Sequence, residues 1–180
     1  MEMGTAIGSY APDFELPGSD ESVHHLSRYL ERFKAVGVVF MCNHCPYVHM
    51  YLERLKQLQA DFADQGFTLI GINPNDADRY PADSFDNMKA FVTTNELNFP
   101  YLRDVTQDVA HSFGAEKTPH IFLLNHHGVL CYSGRMDDNA EDASNVKVTY
   151  LRDAIAQILS GTPVKPTSTP PIGCSVKWRT

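Results

Sequence analysis

The order of apolar runs predicts an α/β protein, a three-layer α/β/α sandwich around a central mixed sheet. Three observations carry that prediction. Residues 36–41 and 67–72 are continuous apolar runs, and a strand covered on both faces needs no alternation of polar and apolar residues. Between them, Val48, Tyr51, Leu52, Leu55, Leu58 and Phe62 recur at the spacing of one helix face. Strand, helix, strand in that order makes the two strands parallel by right-handed crossover. Later, the short apolar runs 121–124 and 129–133 flank Asn125-His126-His127-Gly128; they read as an antiparallel hairpin, which makes the sheet mixed.

The remaining elements follow in chain order. Alternation at Asp13-Phe14-Glu15-Leu16, the turn residues Pro17-Gly18-Ser19-Asp20 and the short Val23-His24 segment predict an N-terminal hairpin. Residues 26–33 have room for one or two helical turns. Pro46 falls in the first turn of the long helix, where its missing N–H costs little, and Gly66 closes that helix. Asn73-Pro74-Asn75 stops the second strand. A helix is expected over 84–97 with Phe85, Met88 and Val92 inward, broken by Asn98-Phe99-Pro100. Thr106 is the expected cap of a short helix carrying Val109, Ala110 and Phe113, with Gly114 beyond its end. A last helix sets Val148, Leu151, Ile155 and Ile158 on one face and ends near Gly161. Residues 162–171 hold four prolines, so this stretch is expected as an extended strap rather than an element. The reading is one domain over 1–180, with 162–180 as a C-terminal strap packed on it and no internal repeat.

Composition narrows the function classes. A chain of 180 residues supports one well-buried core. Its formal charge of −7, with no Lys/Arg cluster, argues against a nucleic-acid partner. No apolar run approaches the roughly 20 residues that span a bilayer, so no membrane partner is expected. Met1-Glu2-Met3-Gly4-Thr5 lacks the charged-then-apolar plan of a secretory leader. The expected location is cytoplasmic, where four cysteines rest as thiols unless function says otherwise.

Cys42-Asn43-His44-Cys45 lies where the first apolar run gives way to the long helix. Two thiols at that spacing can form a disulfide and reopen it. The free amides and positive dipole end of a helix N-terminus favour the thiolate, which is the attacking form. Redox chemistry is therefore the leading reading. A metal site is the competing one: Cys42, Cys45 and His49 make a Cys-x2-Cys-x3-His set that Cys174 would complete as a zinc-binding interaction module. Cys131, inside an apolar run, reads as core.

With these residues in view the chain resembles the thioredoxin superfamily, and within it the peroxiredoxin-like, AhpC/TSA-related branch. The segments that carry the resemblance are Ala11-Pro12-Asp13-Phe14-Glu15-Leu16-Pro17, Cys42-Asn43-His44-Cys45-Pro46, Phe99-Pro100-Tyr101-Leu102-Arg103-Asp104, Thr118-Pro119, Tyr132-Ser133-Gly134-Arg135 and Gly173-Cys174-Ser175-Val176-Lys177-Trp178. A Cys-x-x-Cys pair followed about seventy residues later by Thr-Pro before a strand is the specific part. The resemblance implies a thioredoxin-like fold with Pro119 in cis, facing the cysteines. It also implies that Thr118 and Pro119 form a shelf whose backbone groups pair with an extended substrate. His120, next in the chain, is expected to face that substrate.

The roles implied are a thiol–disulfide oxidoreductase in which Cys42, expected as the more exposed thiol, attacks and Cys45 resolves. His44 between them is the tuning residue. Cys174 is either a buried thiol of the docked tail, anchored by Trp178, or a third redox thiol. No organic cofactor is implied, since the cysteines carry the electrons. The partners implied are a disulfide-containing protein or small-molecule substrate and a dithiol donor such as a thioredoxin or glutathione system. Two departures stand out. Val36 replaces the acidic residue that thioredoxins bury six positions before the first cysteine, so proton transfer falls to His44, His49, water or a carboxylate from elsewhere. Aligned on the peroxiredoxin pattern Pro-x-x-x-Thr-x-x-Cys, Val38 replaces the proline and Cys42 the threonine. A peroxiredoxin-like thiol peroxidase reducing hydroperoxides is therefore the alternative activity rather than the first.

Overall fold

The computed structural model describes residues 4–180. Its centre is a five-stranded mixed sheet. Strands β3 (Ala35–Phe40) and β4 (Phe67–Asn73) are the two apolar runs, and they pair in parallel from Ala35↔Phe67 to Phe40↔Ile72. Every residue of both strands is buried, as continuous apolar runs require. The hairpin of β7 (His120–Asn125) and β8 (Leu130–Gly134) adds antiparallel to the other side of β3. One strand of this sheet goes beyond the expected elements. Tyr101–Arg103 forms β5, parallel to β4 at the sheet edge, giving the order β5-β4-β3-β7-β8. Its three residues are too few to show a period, and the Asn98-Phe99-Pro100 break hides its start.

Helix α2 (Pro46–Phe62) links β3 to β4. Cys45 is its N-cap in extended conformation, Pro46 occupies the first position, and Gly66 ends the segment at φ +91°, which a residue with a Cβ rarely adopts. The six apolar residues expected inward, Val48, Tyr51, Leu52, Leu55, Leu58 and Phe62, are the ones buried. They form one core with α3 (Phe85–Asn95), α5 (Tyr150–Ser160) and one face of the sheet. On α3 the inward residues are Met88 and Phe91, with Phe85 and Val92 only partly buried. Val148 stays exposed ahead of α5.

A second core covers the opposite sheet face. Here α1 (Leu26–Arg32), α4 (Asp108–Phe113) and the N-terminal hairpin β1 (Glu15–Pro17) with β2 (Val23–His25) pack Phe14, Leu26 and Phe113 on Val38, Phe40 and Phe122. The cap of α4 is Gln107 rather than Thr106, with the Asp104 carboxylate accepting from the Ala110 amide at 2.8 Å. Helices on both faces make the three layers expected.

The tail after α5 is extended, touching β8 by a parallel bridge between Ser133 and Ser168. It then forms an element after all: β9 (Cys174–Ser175) pairs antiparallel with β6 (Lys117–Thr118), Cys174 opposite Thr118. Trp178 stacks on His111 at 4.1 Å between ring centroids, the anchor expected of it. Because α2 is held by side chains with no exposure, Leu55→Ala should lower the unfolding free energy by about 2–5 kcal/mol. A urea titration with an unchanged transition midpoint would contradict that burial.

Candidate functional site

Cys42 lies just past the carboxyl end of β3, and Cys45 caps α2. The Thr118–Pro119 bond between β6 and β7 is cis, as expected. It brings the loop against the sulfurs: Thr118 Oγ1 is 3.5 Å from Cys42 Sγ, and Cys45 Sγ is 3.3 Å from the Thr118 carbonyl oxygen. From the tail, Cys174 Sγ reaches Cys45 Sγ at 2.6 Å. Three thiols therefore meet, with Cys45 in the middle, and all are free.

The expected exposure of Cys42 is not found. Cys42 and Cys45 are each 1% exposed. Electrostatics separates them instead. The thiol contact with Cys42 is the main force drawing Cys45 below the ordinary cysteine range; Cys174 and the Val48 amide in the first turn of α2 add to it, against burial. The same contact raises Cys42, helped by burial and by the Asp83 carboxylate. Burial and the Cys45 contact raise Cys174. Of the three thiols, Cys45, at the helix N-terminus, is the one whose ionised form its surroundings favour.

A carboxylate from outside the Cys-x-x-Cys segment, Asp83, lies beside Cys42. It ends a 3-10 turn, Pro81–Asp83, after β4, and its side chain has no exposure. A buried carboxylate needs several donors, and it has four: the Asn43 amide at 2.8 Å, Asn73 Nδ2 at 3.2 Å, Asn75 Nδ2 at 3.0 Å and His44 Nδ1 at 3.1 Å. Tyr101 donates to Asn43 Oδ1 at 2.8 Å, and Arg103 donates to the Asn73 and Asn75 carbonyls at 3.0 and 2.6 Å. Nothing in the turn-like Pro81-Ala82-Asp83 stretch signals this role by itself. The ligand atoms of Cys42, His44 and Asp83 lie within 4.8 Å of one another. Since the His44 side chain is 42% exposed, the group leads from a buried thiol to solvent.

The family model described as "AhpC/TSA family" matches residues 7–133. The chain belongs to the AhpC/TSA family. It is similar over its whole length to the crystal structure of a hypothetical protein of Sinorhizobium meliloti 1021, at 33% identity, with 100% of both chains covered and a TM-score of 0.90. The crystal structure of an uncharacterized conserved protein of Geobacillus kaustophilus is similar at 35% identity, covering 99% of this chain and 96% of that one, with a TM-score of 0.90. Among curated proteins, the thiol-disulfide oxidoreductase ResA of Halalkalibacterium halodurans is 25% identical over 107 residues, 58% of this chain. The match spans 57% of that relative's length.

On this AhpC/TSA scaffold the expected site residues divide. Cys42, Cys45, His44, Thr118, Pro119 and Cys174 come together. Thr118, however, is fully buried and its backbone is already paired with Cys174, so the shelf is covered rather than open. His44 answers to Asp83 as well as to its cysteine neighbours. His49 does not join: it is exposed, its Nε2 is 2.8 Å from the Asn43 carbonyl oxygen, and its ring packs on Phe91. Among the described residues the cluster with metal-ligand spacing is Cys42, His44 and Asp83, not the Cys42, Cys45, His49, Cys174 set. Cys131 is half-buried on β8 and bonds the Val129 carbonyl.

His120 is also turned away from the thiols. Strand alternation aims it with Phe122 at the opposite sheet face, its ring 4.5 Å from that of Phe122. It is 4% exposed and its Nδ1 accepts from the Glu116 amide at 3.1 Å.

Two expected outcomes follow from these placements. Asp83→Asn removes the negative charge beside Cys42, stabilises its thiolate and so the reduced form, and should make the couple more oxidising. The shift is on the order of 30 mV for each pKa unit recovered; an unchanged potential in a glutathione titration would refute the charge effect. Burial lowers His120 to about 4. The unfolded chain, with histidine near 6.5, takes the proton first. His120 therefore contributes stability that is full above pH 6.5 and lost as pH falls to about 4, roughly 3 kcal/mol in all. Chemical denaturation of His120→Gln should show a correspondingly smaller loss between those pH values than the parent chain.

Proposed function

We propose that this protein is a thiol–disulfide oxidoreductase whose electrons reside in the Cys42–Cys45 dithiol–disulfide couple. One observation carries the reading: two thiols held at a strand end and a helix N-terminus, with the carbonyl of a cis-proline loop 3.3 Å from the second. The likeness to a protein named thiol-disulfide oxidoreductase supports it. In each turnover one disulfide forms as another breaks. A thiolate attacks a disulfide sulfur, a mixed disulfide results, and a neighbouring thiolate displaces the second sulfur. Cys45 is the thiolate of the pair and Cys42 its partner. The proton that Cys42 gains or loses has a route through Asp83 and His44. Thr118 and Pro119 fix the sulfurs, and the substrate is a protein or small-molecule disulfide with a dithiol system as donor.

A thiol peroxidase is the second reading, favoured by membership of the AhpC/TSA family. In it, peroxide would turn Cys45 into a sulfenic acid that Cys42 captures as a disulfide, with water released. The family's threonine is absent from position 42, which places this reading behind disulfide exchange.

Redox titration in glutathione buffers with mass-spectrometric mapping of the linkages tests the proposal. A reversible two-electron couple containing a Cys42–Cys45 linkage is expected, and Cys42→Ser should abolish that linkage. A potential near about −270 mV marks a reductant and one near about −120 mV an oxidant. If no Cys42–Cys45 disulfide forms, the proposal fails. A peroxide rate constant far above that of a free thiol would put the peroxidase first.

A further inference from the structure

The chain's own tail lies across the two thiols it is meant to expose. β9 occupies the free edge of the cis-proline loop, Cys174 opposite Thr118, and the Val176 amide bonds the Glu116 carbonyl at 3.1 Å. The approach is so close that a Cβ at Gly173 would overlap the Thr118 carbonyl oxygen. Beyond β9, the Lys177 amide donates to Asn75 Oδ1 at 2.9 Å, and Gln107 Nε2 donates to the Lys177 carbonyl at 3.0 Å. Asn75 also holds Asp83, so the strap and the carboxylate network share one residue.

Thiol exchange needs the attacking sulfur to reach the sulfur it attacks. With 1% exposure, neither Cys42 nor Cys45 offers that access to an external molecule. Cys174 does: it is the part-exposed member of the three, and its Sγ is 2.6 Å from Cys45 Sγ. We infer that Cys174 is a third catalytic thiol, which passes the disulfide between the buried Cys42–Cys45 pair and external thiols or disulfides that exchange at Cys174 itself. This rests on the thiol–disulfide reading of the site. It also narrows the substrate class to thiols and disulfides that are small or protrude, because the edge an extended segment would use is taken.

The exchange balances. Starting from the Cys42–Cys45 disulfide, the Cys174 thiolate attacks the Cys45 sulfur. The Cys45–Cys174 bond forms as the Cys42–Cys45 bond breaks, and Cys42 leaves with the electron pair and takes a proton. An external thiolate then attacks the Cys174 sulfur and expels the Cys45 thiolate, the better leaving group because its pKa is lowered. A second external thiol attacks the mixed disulfide and releases Cys174. Two external thiols have become a disulfide, and two electrons and two protons have passed to the protein. Run backwards, the same steps reduce an external disulfide.

The test uses the full chain, oxidised in glutathione buffer, acid-trapped, alkylated and mapped by mass spectrometry, with dithiothreitol as the external dithiol. A Cys45–Cys174 linkage is expected in the parent chain and in nearly all molecules of oxidised Cys42→Ser; its absence from Cys42→Ser overturns the inference. In Cys174→Ser the Cys42–Cys45 couple should still titrate, while its reduction by dithiothreitol slows at least about tenfold. A rate within twofold of the parent overturns the relay and leaves the couple standing. If no Cys42–Cys45 couple titrates in the parent chain, the function proposed above fails first. Gly173→Val, which forces the strap off Thr118, provides the control. Adding it to Cys174→Ser should restore fast reduction by baring the pair. A rate that stays low means that position 174 only supports the pair, and the relay is wrong.

Discussion

The N-terminus of α2 is the constraint on which the rest of the site depends. It points its unpaired amides and partial positive charge at Cys45, and the depressed pKa of that thiol follows from its contact with Cys42 and from the Val48 amide. The helix cannot tilt, because its apolar face is buried against β3 and β4 along its whole length. Sulfur position is therefore set by core packing rather than by the mobility of a loop. The other contributions, from the cis-proline loop, the buried carboxylate and the tail, are arranged around this one fixed point.

Charge around the cluster is graded. The Asp83 carboxylate sits on the Cys42 side and the helix end on the Cys45 side. The contact between the two thiols is the main cause of the split, raising Cys42 and lowering Cys45; Asp83 adds to the first shift and the Val48 amide to the second. Asp83 remains buried because its oxygens are satisfied by four donors from two segments, residues 43–44 and 73–75. The chain has Val36 at the position six residues before the first cysteine, where the resemblance to thioredoxins leads one to expect a buried acid. Here an acid from after β4 reaches the thiols instead, and position 36 is released to be an ordinary apolar residue of β3.

The strap brings the tail to the thiol cluster. Each of its hydrogen bonds contributes about 1 kcal/mol net, and the Trp178–His111 stack adds to them. The strap covers the buried pair, and reactivity at sulfur follows exposure as well as thiolate character. It also makes Cys174 part of the site, not an appendage to it.

The sequence by itself determined the architecture and most residues of the candidate site. Continuous apolar runs, a 3.6-residue period and a Thr-Pro before a strand are local or pairwise signals, and they led directly to β3, α2, β4, the hairpin and the two cysteines. Only the tertiary structure decided which thiol has its pKa lowered, where the acid comes from and what covers the shelf. Asn75 reads only as part of a strand stop, Asp83 carries no signal of its own, β5 is too short to show a period, and β9 has two residues with no pattern of its own. His120 and His49 adjoin the motifs in sequence yet turn away, because strand alternation directs one to the far sheet face and the other side chain reaches back to the Asn43 carbonyl. Burial, and with it the exposure of Cys42, is a property of how distant segments pack, and no window of neighbouring residues contains it.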